Sequence, residues 1–414
     1  MRAEILAIGD ELVTGQRLDT NSAWLAQQLL EIGLPVAFHT TVADQWDDLM
    51  AALRLACERA DVVVATGGLG PTADDLTRQA LAELAGVPLV EDEAVLAHIQ
   101  ALFARRQRPM PPANAIQAQF PQGSQPIPNP HGTAPGIDLT LPRAGRGPAR
   151  IIALPGVPAE MKEMWQATVR PALAAWLGVR KVIAHFRVKC FGVGESELEA
   201  MLPDLIARDR SPRVGITVHQ ATITLRITAE GEDAAAARAA MQPTLDAIHE
   251  CLGDLVFGYE DEELEDVVVR MLQVRGQTLA LAEWGSGGML AHWLTRADPT
   301  SVAFRGGVVL GSREALHAVA PEAAAVVDEE IACAMRLAEQ VRKHYGADYG
   351  LAVGRYPRQE GPAAHGPVAL ALAYAEGTRT LSASFGGHPQ VAPVRVAKQA
   401  LNLLRLHLLR GPEL

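Results

Sequence analysis

The sequence predicts an α/β protein whose first part is a doubly wound, mainly parallel sheet. Three observations carry this. Short apolar runs alternate with amphipathic helical patterns over about the first hundred residues, the arrangement of βαβ units. The run DVVVATGG at 61–68 is continuously apolar and β-branched, as in a strand buried on both faces of a parallel sheet. That strand ends in glycines, at the edge where open α/β sheets hold ligands.

The elements follow in order. EILAI is a strand, and SAWLAQQLLEIG has apolar residues at helical spacing and closes on Gly33, a natural helix stop. LPVAFHTTVAD reads as a second strand and WDDLMAALRLACERA as an amphipathic helix. Residues 105–150 are rich in proline and glycine, so they form either a loose insertion or loops folded around a site; RIIALPGVPAEMKEMW then returns to strand, turn and helix. From about residue 178 the pattern becomes a compact α+β unit of about 80 residues. Beyond about 260 strands and helices alternate again, with PVALALAYAEGTRTLSASF reading as a hairpin and VRVAKQALNLLRLHLLR as a closing helix.

Composition limits the function. The 414 residues carry a formal net charge of −11, with 49% hydrophobic and 21% charged residues. That balance excludes a disordered chain and a broadly basic coat for nucleic acid. No apolar run reaches the ~18 residues of a membrane helix, and the N-terminus lacks the pattern of a signal peptide. The four cysteines, Cys57, Cys190, Cys251 and Cys333, are far apart and read as small buried apolar residues in a cytoplasmic, reducing setting.

The strongest chemical signal is TGGLGPTADDLT at 66–77. Gly67, Gly68 and Gly70 let the backbone turn tightly and approach a ligand, and Thr72 leads into a helix expected to hold Asp74 and Asp75 in its first turn. Free N–H groups at a helix start attract phosphate. Two carboxylates beside them would repel it unless a cation lies between, so the pattern points to a phosphate or pyrophosphate bridged by a divalent metal on Asp74 and Asp75. Three further strand-end loops have the same character. GDELVTG contains Asp10 and Glu11 and precedes Asn21, read as a helix N-cap or ligand contact; NPHGTAPGI contains Thr133 and Gly136; LPGVPAEM contains Gly156 and places Glu160 in a first helical turn.

These motifs, in this order, resemble the CinA (competence/damage-inducible) family, and the resemblance extends over the whole chain. It implies a molybdopterin-binding-like N-terminal domain at 1–176, a KH-type α+β middle domain at 177–258 and a deamidase-like α/β C-terminal domain at 259–414. It further implies hydrolysis of the pyrophosphate of ADP-ribose to AMP and ribose 5-phosphate, and a homodimer. Asp74, Asp75 and Glu160 are then the expected catalytic group around the metal. Asp10, Glu11 and Asn21 would meet a ribose or nucleoside hydroxyl, while Gly67, Gly68, Gly70, Thr72, Thr133, Gly136 and Gly156 would line the substrate. Two readings compete with it: a non-catalytic nucleotide- or pterin-binding scaffold in competence or the DNA-damage response, and residual nicotinamide-mononucleotide deamidation by the last domain.

The last domain departs from its family. Active members carry a stretch like AESCTGG with a nucleophilic Ser; here AEWGSGG puts Trp284 at the Ser, Gly285 at the Cys and Ser286 at the Thr. The Tyr and the activating Lys of the family are replaced by Gly311 and Leu316. The family's TGIAGPGGG loop reads GRYPRQEGPAA at 354–364. Nicotinamide-mononucleotide deamidation is therefore expected to be lost, with Ser286 and Ser312, lacking a neighbouring base, serving as cap or turn residues. In the middle domain, GVGES places Glu195 and Glu197 beside the glycines, which disfavours a nucleic-acid backbone there.

Overall fold

The structure, a computed structural model, describes residues 1–178, 182–202, 204–207, 210–357 and 365–411. The chain divides into two compact units, residues 1–184 with 230–237, and residues 185–229 with 238–414.

The first unit opens with β1 (Ala3–Ile8), α1 (Asp10–Val13), α2 (Thr20–Glu31), β2 (Val36–Val42), α3 (Trp46–Arg59) and β3 (Val62–Thr66). It continues through α4 (Thr77–Ala85), β4 (Leu89–Glu91), α5 (Glu93–Arg105), β5 (Gln119–Pro121), β6 (Gln125–Ile127), β7 (Gly136–Arg143), β8 (Arg146–Leu154), α6 (Pro158–Met164) and α7 (Arg170–Leu177). The main sheet runs β2-β1-β3-β8-β7-β6. The first four strands are parallel, and β7 and β6 join antiparallel.

The alternation along β3 explains why helices cover both faces. Val63 and Ala65 pack with Leu49 and Leu53 of α3, whereas Val62 and Val64 pack with Leu25 and Leu29 of α2 and with Trp165. All four β3 side chains are fully buried. Each valine contributes roughly 1.5–3 kcal/mol of burial, so this strand anchors the loop that leaves its end.

The proline-rich segment is not a loose insertion: it supplies β5, β6, β7 and the start of β8, and its Gln117, Thr133 and Ala134 line a cavity at the strand ends. Arg143 and Arg146 at the tip of β7–β8 both pair with Asp61.

The second unit holds most of β9 (Val182–Cys190), α8 (Glu195–Ala200), β10 (Arg213–His219), most of β11 (Thr222–Gly231) and of α9 (Ala234–Leu252), and β12 (Val256–Tyr259). Next come α10 (Leu264–Arg275), β13 (Leu279–Glu283), α11 (Met289–Ala297), β14 (Phe304–Val309), α12 (Arg313–Val319), α13 (Pro321–Ala324), α14 (Glu330–His344) and β15 (Tyr349–Val353). The hairpin β16 (Gly366–Tyr374) and β17 (Gly377–Phe385) leads to α15 (Ala392–Arg410). Its sheets run β10-β11-β9-β12 and β14-β13-β15-β16-β17. Phe191 and Phe257 of the first layer share one core with Leu264, Leu281 and Leu401 of the second.

All four cysteines are free thiols, but the expectation that all are buried fails at Cys251, which is exposed. Burial pushes the Cys57 and Cys190 thiols up to about 12. Among the described residues, no helix is long and apolar enough to cross a membrane.

Candidate functional site

The loop after β3 lies at the carboxyl end of the parallel strands and lines a cavity of about 480 Å³. Gly67 must be glycine: its φ is +109°, and a Cβ there would lie 2.2 Å from the Ile8 carbonyl oxygen. Helix α4 starts at Thr77, not at Asp74, which corrects the expected first-turn placement. The reason is that Asp74 and Asp75 belong to a closed turn. The Asp75 carboxylate accepts the Gly70 N–H at 2.7 Å, the Thr72 N–H at 2.9 Å and the Thr72 hydroxyl at 2.5 Å. Thr77 fixes the other side, donating from its hydroxyl to the Gly67 carbonyl and from its N–H to the Gly68 carbonyl.

A fully buried cation lies behind this loop. Arg78 donates from Nη2 to the Leu69 carbonyl at 2.9 Å, while its Nε and Nη1 have no partner. Burial lowers its pKa to about 10, against the opposing pull of Asp75.

Gly67, Gly68, Gly70, Asp74 and Asp75 line the cavity, as do Glu11, Thr133, Gly156 and Glu160 from the other strand-end loops. Asn21 lies in an adjoining recess that shares Glu11 and Gly156. It is not the helix N-cap: Asp19 caps α2 by accepting the Ser22 N–H, and Asn21 instead donates to the Gly156 carbonyl at 2.9 Å. Its Oδ1 is buried without a partner.

Besides Asn21, three expected contacts do not line the cavity. Asp10 is tied to Asp44, each carboxylate accepting the other residue's N–H, which locks two strand-end loops together. Thr72 is spent on Asp75. Gly136 is a sheet residue at the start of β7, where a Cβ would approach the Ala153 carbonyl to 2.6 Å.

Sequence reasoning missed Arg17, Asp44 and Gln117, which also line the cavity. Asp44 follows the end of β2, a position that strand-end logic could have flagged. Burial raises its carboxyl above the ordinary aspartate range, and the charges of Asp10, Asp74 and Glu11 add to this against a backbone hydrogen bond. These are hard oxygen donors of the kind magnesium or manganese takes. Among the described residues, no three such side chains gather to hold an ion by themselves. Asp74 and Asp44 offer part of such an ion's oxygen shell, and magnesium usually keeps several waters in the rest.

In the second unit, Trp284 follows β13 with its ring half-buried, and Arg355 lies 5.8 Å from its centroid. The Tyr356 ring fills the space above Gly285, so close that a Cβ would lie 2.0 Å away. Leu316 is fully buried in the core. Gly311 has open space where a Cβ would stand. Of the replaced loop, 354–357 is described and 358–364 lies outside the described residues. Ser312 caps α12, accepting the Ala315 N–H. Ser286 does have an acid neighbour, contrary to expectation: its hydroxyl donates to Glu283 at 2.5 Å. Both residues are buried, and Glu283 also accepts the Leu290 and Ala291 N–H groups, so the pair caps α11.

Three family models match the chain. They are described as "Probable molybdopterin binding domain" at residues 4–175, "Damage-inducible protein CinA KH domain" at 186–258 and "CinA C-terminal domain" at 261–408. A CinA-like protein of Frankia casuarinae is 39% identical over 98% of this chain and 96% of its own. Another, from Gloeobacter violaceus, is 38% identical over 98% and 96%. The crystal structure of the protein CinA from Thermoplasma acidophilum, of unknown function, is 34% identical over 41% of this chain and 96% of that one, with a TM-score of 0.37. With these motifs in register and this identity over nearly its full length, the chain belongs to the CinA family.

Proposed function

We propose that the first unit hydrolyses the diphosphate of ADP-ribose to AMP and ribose 5-phosphate. At the coarser level, the molybdopterin-binding and CinA C-terminal domain matches support a nucleotide- or pterin-related binding or hydrolase scaffold for the chain. The observation that carries the finer reading is the Asp75-closed glycine loop, which opens onto one cavity with Asp74, Asp44 and Glu160.

In this reading the loop backbone at 67–70 receives the diphosphate, and Arg78 beneath it offsets the surrounding carboxylates. Asp74 and Asp44 would hold a divalent ion, which, when bound, supplies Lewis-acid polarisation of a phosphoryl oxygen and a more acidic water. Asp75 keeps the loop in shape. Glu160 is steadied by Asn129, whose Nδ2 donates to Oε2 at 2.7 Å. In this reading its Oε1 would accept a proton from the water that adds to phosphorus as the bridging oxygen leaves.

A second reading is binding without turnover, supported by the molybdopterin-binding domain match over residues 4–175. The two separate on incubating the purified chain with ADP-ribose and magnesium or manganese. AMP formation, lost in Asp74→Ala, supports the hydrolase; binding with no AMP under either metal leaves the scaffold. For the second unit we propose that deamidase activity is lost, supported by Trp284 and Leu316 at the nucleophile and base positions.

A further inference from the structure

Beside the glycine-loop cavity lies an open apolar groove of about 290 Å³. Ala94 and His98 of α5 form one side, and Pro126, Pro128, Asn129 and Thr133 form the other. Thr133 also lines the glycine-loop cavity, so the two spaces adjoin. The groove is too small for a whole nucleotide ligand and suits one fragment of it.

The wall between the two spaces is rigid. Asn129 accepts the Gly132 N–H at 2.8 Å and donates to the Ala134 carbonyl at 2.9 Å and to Glu160 at 2.7 Å. Its carbonyl fixes the His98 ring, with Nε2 at 3.1 Å. One residue therefore sets the groove, the imidazole and a carboxylate of the neighbouring cavity in fixed relation. A ligand that fits both spaces needs an anionic part joined to a flat, apolar-faced part.

We propose that this groove seats the planar heterocyclic base of a nucleotide whose phosphates lie in the glycine-loop cavity. Proline rings and the His98 ring offer flat surfaces to the faces of the base. The Asn129 side chain is fully committed, and His98 Nδ1 has no protein partner among the described residues. With this one ring nitrogen as the hydrogen-bonding group left for a base edge, the site reads base shape more than base identity. This rests on the diphosphate reading of the cavity, and the test separates the two.

Titration calorimetry on the full chain with magnesium, using AMP, GMP, adenosine and inorganic pyrophosphate, makes the test. Ala94 is exposed on a helix surface, so Ala94→Phe fills the groove without touching the core. The variant is expected to weaken AMP about tenfold or more and leave pyrophosphate unchanged, with GMP within about fivefold of AMP in the wild type. His98→Ala is expected to weaken AMP and adenosine alike. AMP affinity untouched by Ala94→Phe, equal weakening of AMP and pyrophosphate in both variants, or a wild type that binds neither AMP nor adenosine would each overturn the proposal. A wild type that binds adenosine but not pyrophosphate would keep the groove and overturn the diphosphate reading.

Discussion

Asp75 accepts the Gly70 N–H at 2.7 Å and so closes the loop, while the exposed Asp74 carboxylate, held below its ordinary value by the Thr72 side chain, lines the cavity. Asp75→Ala removes three hydrogen bonds to a charged acceptor. The expected cost is roughly 1.5–3 kcal/mol, seen as a lower thermal unfolding temperature, together with loss of pyrophosphate binding. Asp74→Asn, at an exposed position, is expected to leave stability unchanged and to lower metal-dependent turnover. Equal destabilisation by both substitutions would overturn this division of labour.

Much of the arrangement was legible in the sequence because it follows from local rules. Val62–Thr66 reads as a doubly covered strand because its apolar run is continuous, and that strand delivers the glycine loop to the right edge of the sheet. The start of α4 at Thr77 was not legible, since it depends on Asp75 folding back on Gly70 and Thr72. Gly136 looks like a loop glycine until the Ala153 backbone is brought against it from another strand. Arg78 is an ordinary helical arginine in sequence; only tertiary packing makes it a fully buried cation. Asp44 was within reach of strand-end logic, since it follows the end of β2, but its tie to Asp10 shows only once β2 lies parallel beside β1.

Gly67→Ala tests the close approach of the loop to β1. The substitution brings a Cβ to 2.2 Å from the Ile8 carbonyl oxygen in a left-handed backbone, so the loop must move. A cost of about 1–3 kcal/mol is expected, with pyrophosphate binding lost at temperatures where the chain remains folded. Binding at wild-type strength would show that the loop amides do not hold the anion.

Trp284→Ser restores a hydroxyl at the position where active relatives of the second unit carry their nucleophile. No ammonia release from nicotinamide mononucleotide is expected. Leu316, at the position of the activating lysine, is packed in the core, and the Tyr356 ring covers Gly285. Release well above background from this variant, or from the wild type, would show that another group supplies the base.

Lys398 couples α15 to the start of α10 through Glu263, whose carboxyl gives the contact a pH dependence of definite sign. Its Nζ lies 2.8 Å from a Glu263 carboxylate oxygen and 2.6 Å from the Thr222 hydroxyl, and Lys189 reaches the other Glu263 oxygen at 3.3 Å. Burial alone would raise the Glu263 carboxyl, but Lys398 and then Lys189 outweigh it and hold it below the ordinary glutamate value. A carboxyl lowered in the folded state contributes stability above its unfolded pKa, near 4.3, and loses it as pH falls through the lower folded value. Neighbouring Glu265 works in the opposite sense, since burial raises its carboxyl. Glu263→Gln should therefore destabilise the chain at neutral pH and progressively less below about pH 4.5. Lys398→Met leaves Glu263 with Lys189 alone and is expected to cost roughly 3 kcal/mol, the low end for breaking a buried pair. Chemical unfolding of both variants between acidic and neutral pH checks this, and a Glu263→Gln deficit that grows on acidification would refute it.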